Sequence, residues 1–154
     1  MSNADSVAQY TLDSFGNGRI GVVKTASLAT TGNAVVTIPL LSGGLTNAGA
    51  IQGSGAVIVR RITVQNPTGN VSAANVAISI SSTGNVATAN AVVANVVLTN
   101  LTGAGTYQDL TIAGGFAANT VVSGYQTQCL YVNINTGSSN GTVDIAVYGD
   151  VVSF

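Results

Sequence analysis

The sequence predicts an all-β fold, an antiparallel β-sandwich or jelly roll of about eight short strands. After residue 19, apolar and polar residues alternate with a period of two through most of the chain. Val, Ile and Thr dominate these segments, and clusters of Gly and Asn separate them at fairly regular spacing. Because neighbouring strand residues point to opposite faces, this pattern indicates sheets with one face against a core.

The chain divides into an N-terminal arm, residues 1–19, and a single domain, residues 20–154. A chain of 154 residues is long enough for one domain with its own hydrophobic core. The arm shows no periodicity. It is either a frayed terminus or a segment that orders against a partner surface through the apolar anchors Tyr10 and Phe15.

The first predicted strands are residues 20–28 and 33–41. Lys24 falls on the apolar side of the first strand, and we expect its stem to extend past the sheet edge so that its charge reaches water. Pro39 has no N–H to donate to a neighbouring strand, so the second strand lies at an edge or ends there. Residues 42–55 form a long glycine-rich loop.

Residues 56–66 and 71–81 are predicted strands, joined by the turn sequence Asn-Pro-Thr-Gly-Asn. The segment 86–99 is rich in Ala, which a helix tolerates. Its Val pairs and Asn residues favour a strand interrupted by a bulge. The remaining predicted strands are residues 106–113, 119–124, 128–135 and 141–152.

The composition limits the partners of this chain. Only 6% of its residues are charged, against roughly 25% in ordinary soluble domains. A net charge of −1 argues against a polybasic surface, so we expect no nucleic-acid partner and no membrane partner. We also expect no signal peptide and no membrane span. Copies of the protein repel each other little, which permits dense packing.

The residue types needed for catalysis are scarce. The chain has no His, no Glu and one Cys, so we predict no catalytic, cofactor-binding or metal-binding residues and no enzymatic activity. Cys129 lies in an apolar run and is predicted to be a small core residue. Asp144 and Asp150 share a strand face about 20 Å apart and are predicted to be solvated surface charges, too distant for a carboxylate pair.

Arg60 and Arg61 are adjacent in a predicted strand, so they point to opposite faces and cannot both face solvent if one face is core. One interpretation is an Arg–Asp ion pair at the rim of the sandwich. The other is an arginine that binds a neighbouring chain, because Arg is enriched in interfaces. The candidate interface residues are Tyr10, Phe15, Arg19, Arg60 and Arg61.

The segments "VRRITVQNPTG" and "LYVNINTGSSNGTVDIAVYGDVV" resemble those of small capsid decoration (cement) proteins of tailed bacteriophages. The resemblance rests on short Val/Ile/Thr strands, Asn/Gly turns and the form of the final strand. It implies a non-catalytic β-sandwich that assembles as a homotrimer and binds the major capsid protein. It also implies a location on the outer surface of the virion, after assembly in the host cytoplasm, with residues 1–19 as a capsid-contacting arm.

A different class remains open at this point. The chain is alternatively an extracellular adhesive or filament subunit, including a phage fibre domain. Such a protein associates end to end or binds glycans, rather than binding a capsid.

Overall fold

A computed structural model describes residues 18–40, 56–84, 91–113, 121–123, 129–139 and 141–152. The strands in these residues are β1 (Gly18–Ser27), β2 (Gly32–Pro39), β3 (Ala56–Gln65), β4 (Asn75–Ser79), β5 (Ala91–Val97), β6 (Tyr107–Leu110), β7 (Val121–Ser123), β8 (Cys129–Thr136) and β9 (Thr142–Val152). Within the same residues, the structure contains no helix that is long and apolar enough to cross a membrane.

The strands form two antiparallel sheets. Sheet A has the order β1-β9-β3-β6, with β7 also paired to β3, and sheet B has the order β2-β8-β4-β5. In the pairing, β1 joins β9, β2 joins β8, β3 joins β6, and β4 joins β5. This is a long hairpin folded over itself, which brings β9 beside β3 and β8 beside β4. The strand order is therefore that of a jelly roll, and the predicted all-β sandwich is confirmed.

The core lies between the two sheets and is built by the predicted alternation. On β9, Val143, Ile145 and Val147 are at most 1% exposed. On β8, Leu130, Val132 and Ile134 are fully buried. Burying one such side chain contributes about 1.5–3 kcal/mol, so the apolar faces of the two sheets supply the main stabilising term.

Side-chain and backbone contacts link the two sheets at both long edges of the sandwich. On one side, a β-bridge joins Gly21 of β1 to Leu40. On the other, the Gln108 side chain of β6 accepts a 3.0 Å hydrogen bond from the Asn100 N–H and donates one of 3.0 Å to the Val97 carbonyl. These contacts tie the two sheets together at their edges.

Two predictions about strand irregularities are confirmed. β2 is an edge strand of sheet B and ends at Pro39. Residues Ala91–Val97 form a strand rather than a helix. Val76 lies opposite Val96, Ile78 opposite Val93 and Ser79 opposite Ala91, so β5 carries an extra residue at each of two register shifts.

Candidate functional site

Charge is distributed unequally between the two sheets. In the part of the chain that the structure describes, every charged residue lies on a strand of sheet A, and the strands of sheet B carry none. We call the outward side of sheet A the charged face and the outward side of sheet B the uncharged face. The charged residues are Arg19, Lys24, Arg60, Arg61, Asp109, Asp144 and Asp150.

A β-bulge brings both central arginines to the charged face. Val59 lies opposite Gly149 and Arg61 lies opposite Tyr148, which leaves Arg60 as the extra residue. The alternation therefore shifts by one position, and Val59 and Ile62 both enter the core. The prediction that the two arginines cannot both face outward is wrong, because it assumed an unbroken strand.

Each arginine pairs with an aspartate on a neighbouring strand. Arg61 binds Asp109 of β6 through two contacts, Nε to Oδ1 at 3.0 Å and Nη2 to Oδ2 at 2.9 Å. The Thr63 hydroxyl donates a further hydrogen bond of 2.6 Å to Oδ1 of the same carboxylate. Arg60 binds Asp150 of β9 through a single Nε to Oδ2 contact of 3.1 Å. The predicted Arg–Asp pairing thus occurs twice, on the sheet face.

The two pairs allow a direct comparison of ion-pair geometry. A double-mutant cycle with R61A, D109A and both together is expected to give a coupling free energy of about 1 kcal/mol, because two-point Arg–carboxylate contact is the stronger form. The matched cycle with R60A and D150A is expected to give a few tenths of a kcal/mol, since that contact is single and its carboxylate is half exposed. Urea unfolding measures both. A larger coupling for Arg60 and Asp150 would contradict this ranking.

Arg19 belongs to strand β1 of sheet A and not to an arm that precedes the sheet. β1 begins at Gly18, and Arg19 is half-buried opposite Tyr148 of β9. Since Arg61 of β3 faces Tyr148 from the other side, the three residues form a row across the charged face. The predicted anchors Tyr10 and Phe15 lie outside the described residues.

Asp144 is the most enclosed charged group of this face. Its Oδ1 accepts a 2.9 Å hydrogen bond from the Thr25 backbone N–H. Its Oδ2 accepts one of 3.0 Å from Asn66 Nδ2 and lies 3.3 Å from Lys24 Nζ. Thr25 and Asn66 have φ values of 50° and 52°, a left-handed conformation that costs free energy in residues other than glycine. The carboxylate therefore holds two unfavourable backbone positions in place.

Two predictions about this region are wrong. Asp144 is only 9% exposed, so it is not a solvated surface charge, whereas the Asp150 side chain is 51% exposed as expected. Lys24 does not extend past a sheet edge. A register shift between Val23 and Ala26 turns it outward, and its ammonium group reaches Asp144.

The environment of Asp144 favours its ionised form. Burial alone raises the pKa of this carboxyl group. The hydrogen bonds from Thr25 and Asn66, together with the bond and charge of Lys24, outweigh burial and hold the pKa below its ordinary value of 3.8. Asp144 is therefore a structural anion that joins β9 to the β1 bulge and to the turn after β3.

Cys129 does not lie in the core. It is half-buried at the start of β8, opposite Pro39, and its neighbour Leu130 takes the inward position. The apolar run around Cys129 obscured the alternation that places it on the outward side. Among the described residues, no three His, Cys, Asp or Glu side chains cluster in a way that could hold a metal ion.

Comparison of the chain with protein-family models, curated proteins and solved structures gave no match. The class of the protein therefore follows from its own strand order, which defines a jelly-roll β-sandwich. The resemblance to phage decoration proteins stays a prediction.

Proposed function

We propose that this chain is a non-catalytic virion structural protein, a capsid decoration protein that binds the outer head shell and stabilises it. The observation that carries the proposal is the jelly-roll strand order, an architecture that viral capsid domains share with lectins and cupins. Fold analogy alone does not determine function, so the surface of the molecule has to support the same conclusion.

The distribution of charge supports a protein that packs in many copies. Lys24, Arg60 and Arg61 each form an ion pair with an aspartate of the same chain. The strands of sheet B offer only uncharged side chains to a neighbour. Because most of its charges are paired within the chain, such a surface exerts little long-range repulsion on identical copies, which suits close spacing on a lattice.

The proposed mechanism is multivalent attachment. The partners are the major capsid protein and other copies of this chain, with a homotrimer as the favoured assembly. Each contact with the shell is weak, but linked copies on a repeating lattice gain affinity through high effective concentration. The proposed location is the outer surface of the virion.

Co-sedimentation of the purified chain with empty head shells tests this proposal. We expect saturable binding that changes less than about twofold between low and high salt, because surfaces with paired charges lose little to screening. We also expect light scattering to show a discrete oligomer at micromolar concentration.

The same preparation separates the alternatives. A strict monomer that does not sediment with shells would contradict the proposal. Rods or filaments in electron micrographs would instead support a fibre or adhesin subunit.

A further inference from the structure

An open polar depression of about 560 Å³ lies at the β6 edge of sheet A, at the end of the loop from β5. Tyr107 stands at this depression with 59% of its surface exposed. No other aromatic side chain in the described part of the chain is exposed to this degree. The lining residues are Asn100, Gly105, Thr106, Tyr107, Gln108 and Asp109.

The loop that forms the depression is held rigidly by its own hydrogen bonds. The Leu101 N–H donates to the Leu98 carbonyl at 2.9 Å. The Thr106 hydroxyl and N–H both donate to the Gly103 carbonyl, at 2.6 and 3.2 Å. The buried Gln108 amide ties the loop to the end of β5. A site that is ordered before binding loses less conformational entropy when a ligand arrives.

Exposed polar groups border the tyrosine ring. Asp109 is fixed by Arg61 and Thr63, and its carboxylate side chain is still 46% exposed. A hydroxyl donor can therefore reach this carboxylate from solvent. The structure gives the Asn100 side chain no hydrogen bond to another described residue, so its amide can both donate and accept.

We propose that this depression is a binding subsite for a neutral saccharide. A pyranose ring has an apolar C–H face that suits the exposed ring of Tyr107, and hydroxyl groups that suit the Asp109 carboxylate and the Asn100 amide. Among the described residues that line the depression, only Asp109 is charged. The site therefore offers no cation for an acidic sugar, whose carboxylate would face that of Asp109.

The test is a titration followed by amide chemical shifts in NMR. The probes are the methyl glycosides of glucose, galactose, mannose and N-acetylglucosamine, with sialic acid as the acidic comparison. We expect saturable shifts in residues 100–109 with at least one neutral probe and none with sialic acid. An absence of saturable shifts with all four neutral probes, a response to sialic acid alone, or shifts centred elsewhere would overturn the proposal.

Substitutions of Tyr107 distinguish stacking on an aromatic ring from contact with any large apolar side chain. Y107F keeps the aromatic ring and is expected to retain affinity within about twofold, whereas Y107L is expected to lose about tenfold. T30A, an exposed substitution in the turn after β1, is the control and is expected to bind like the unmodified chain. Unchanged affinity in Y107L would refute the subsite.

The saccharide subsite and the capsid proposal can fail independently. Y107L is expected to co-sediment with head shells as the unmodified chain does, because the subsite is not required for the shell contact. Loss of shell binding in Y107L would show that this surface meets the capsid, and would count against a saccharide ligand.

Discussion

Alanine in place of Gly149 is expected to lower the free energy of unfolding by about 3 kcal/mol, the loss that overpacking against fixed atoms produces. A Cβ at this position would overlap the Ile58 carbonyl oxygen and would lie 3.2 Å from the Val59 Cα. These are backbone atoms of β3 at the arginine bulge, so they cannot move without disturbing the β3–β9 pairing. Urea unfolding with linear extrapolation measures the change.

Gly103→Ala is the matched control for this substitution. An added Cβ at Gly103 meets no atom within 4 Å. The change in stability is therefore expected to stay within about 0.5 kcal/mol, as for most surface substitutions. Equal losses in G149A and G103A would show that the close approach of β3 and β9 is not what requires glycine.

Removal of the Asp144 carboxylate is expected to have an effect of similar size. Asp144→Ala leaves the Thr25 N–H and the Asn66 amide without their acceptor and frees two left-handed backbone positions. Hydrogen bonds to a charged group contribute about 1.5–3 kcal/mol, so we expect a loss of about 3 kcal/mol in urea unfolding. Asp150→Ala, on the same strand with a half-exposed carboxylate, is the control and should cost no more than about 0.5 kcal/mol.

The Asp144 contribution also predicts a dependence on pH. Because the folded pKa lies below the ordinary value of 3.8, the stabilisation is present above that value and is lost as pH falls through the folded pKa. The stability difference between the unmodified chain and D144N is therefore expected to be largest near neutral pH and to shrink in strong acid. A difference that does not change with pH would show that the charge of Asp144 contributes nothing.

The strands could be predicted from the sequence because a period of two is a local signal. The segments around Ile145, Val132 and Ile78 each show which side faces a core before any pairing is known. Pro39 marked its edge strand for an equally local reason, since it lacks an N–H. The pairing of strands that are distant in the chain, such as β1 with β9, depends on how the complete fold packs. The sequence therefore did not distinguish a jelly roll from another β-sandwich.

The positions of the bulges could not be predicted in the same way. A bulge is defined by the pairing of two strands. Nothing within β3 shows that Val59 will pair with Gly149 and Arg61 with Tyr148, which leaves Arg60 unpaired. The orientations of Arg60 and Lys24 both depend on such shifts. The alternation within one strand, taken without its partner strand, therefore places each of these side chains on the core face instead of the outward face.

The burial of Asp144 was missed for a related reason. Its donors are Lys24, Thr25 and Asn66, which lie far from it in the chain and meet it only when β1, β9 and β3 are adjacent. A polar residue on the outward side of a strand is normally solvated, and only the neighbouring turns show otherwise. The Arg61–Asp109 contact across β3 and β6 is of the same kind.

Cryo-electron microscopy of the virus particle that carries this chain tests the central proposal most directly. We expect density for a jelly-roll domain at regular positions on the outside of the head, bridging neighbouring major capsid subunits. Density for the domain in a tail fibre, or a head surface without it in particles shown to contain the chain, would contradict the account.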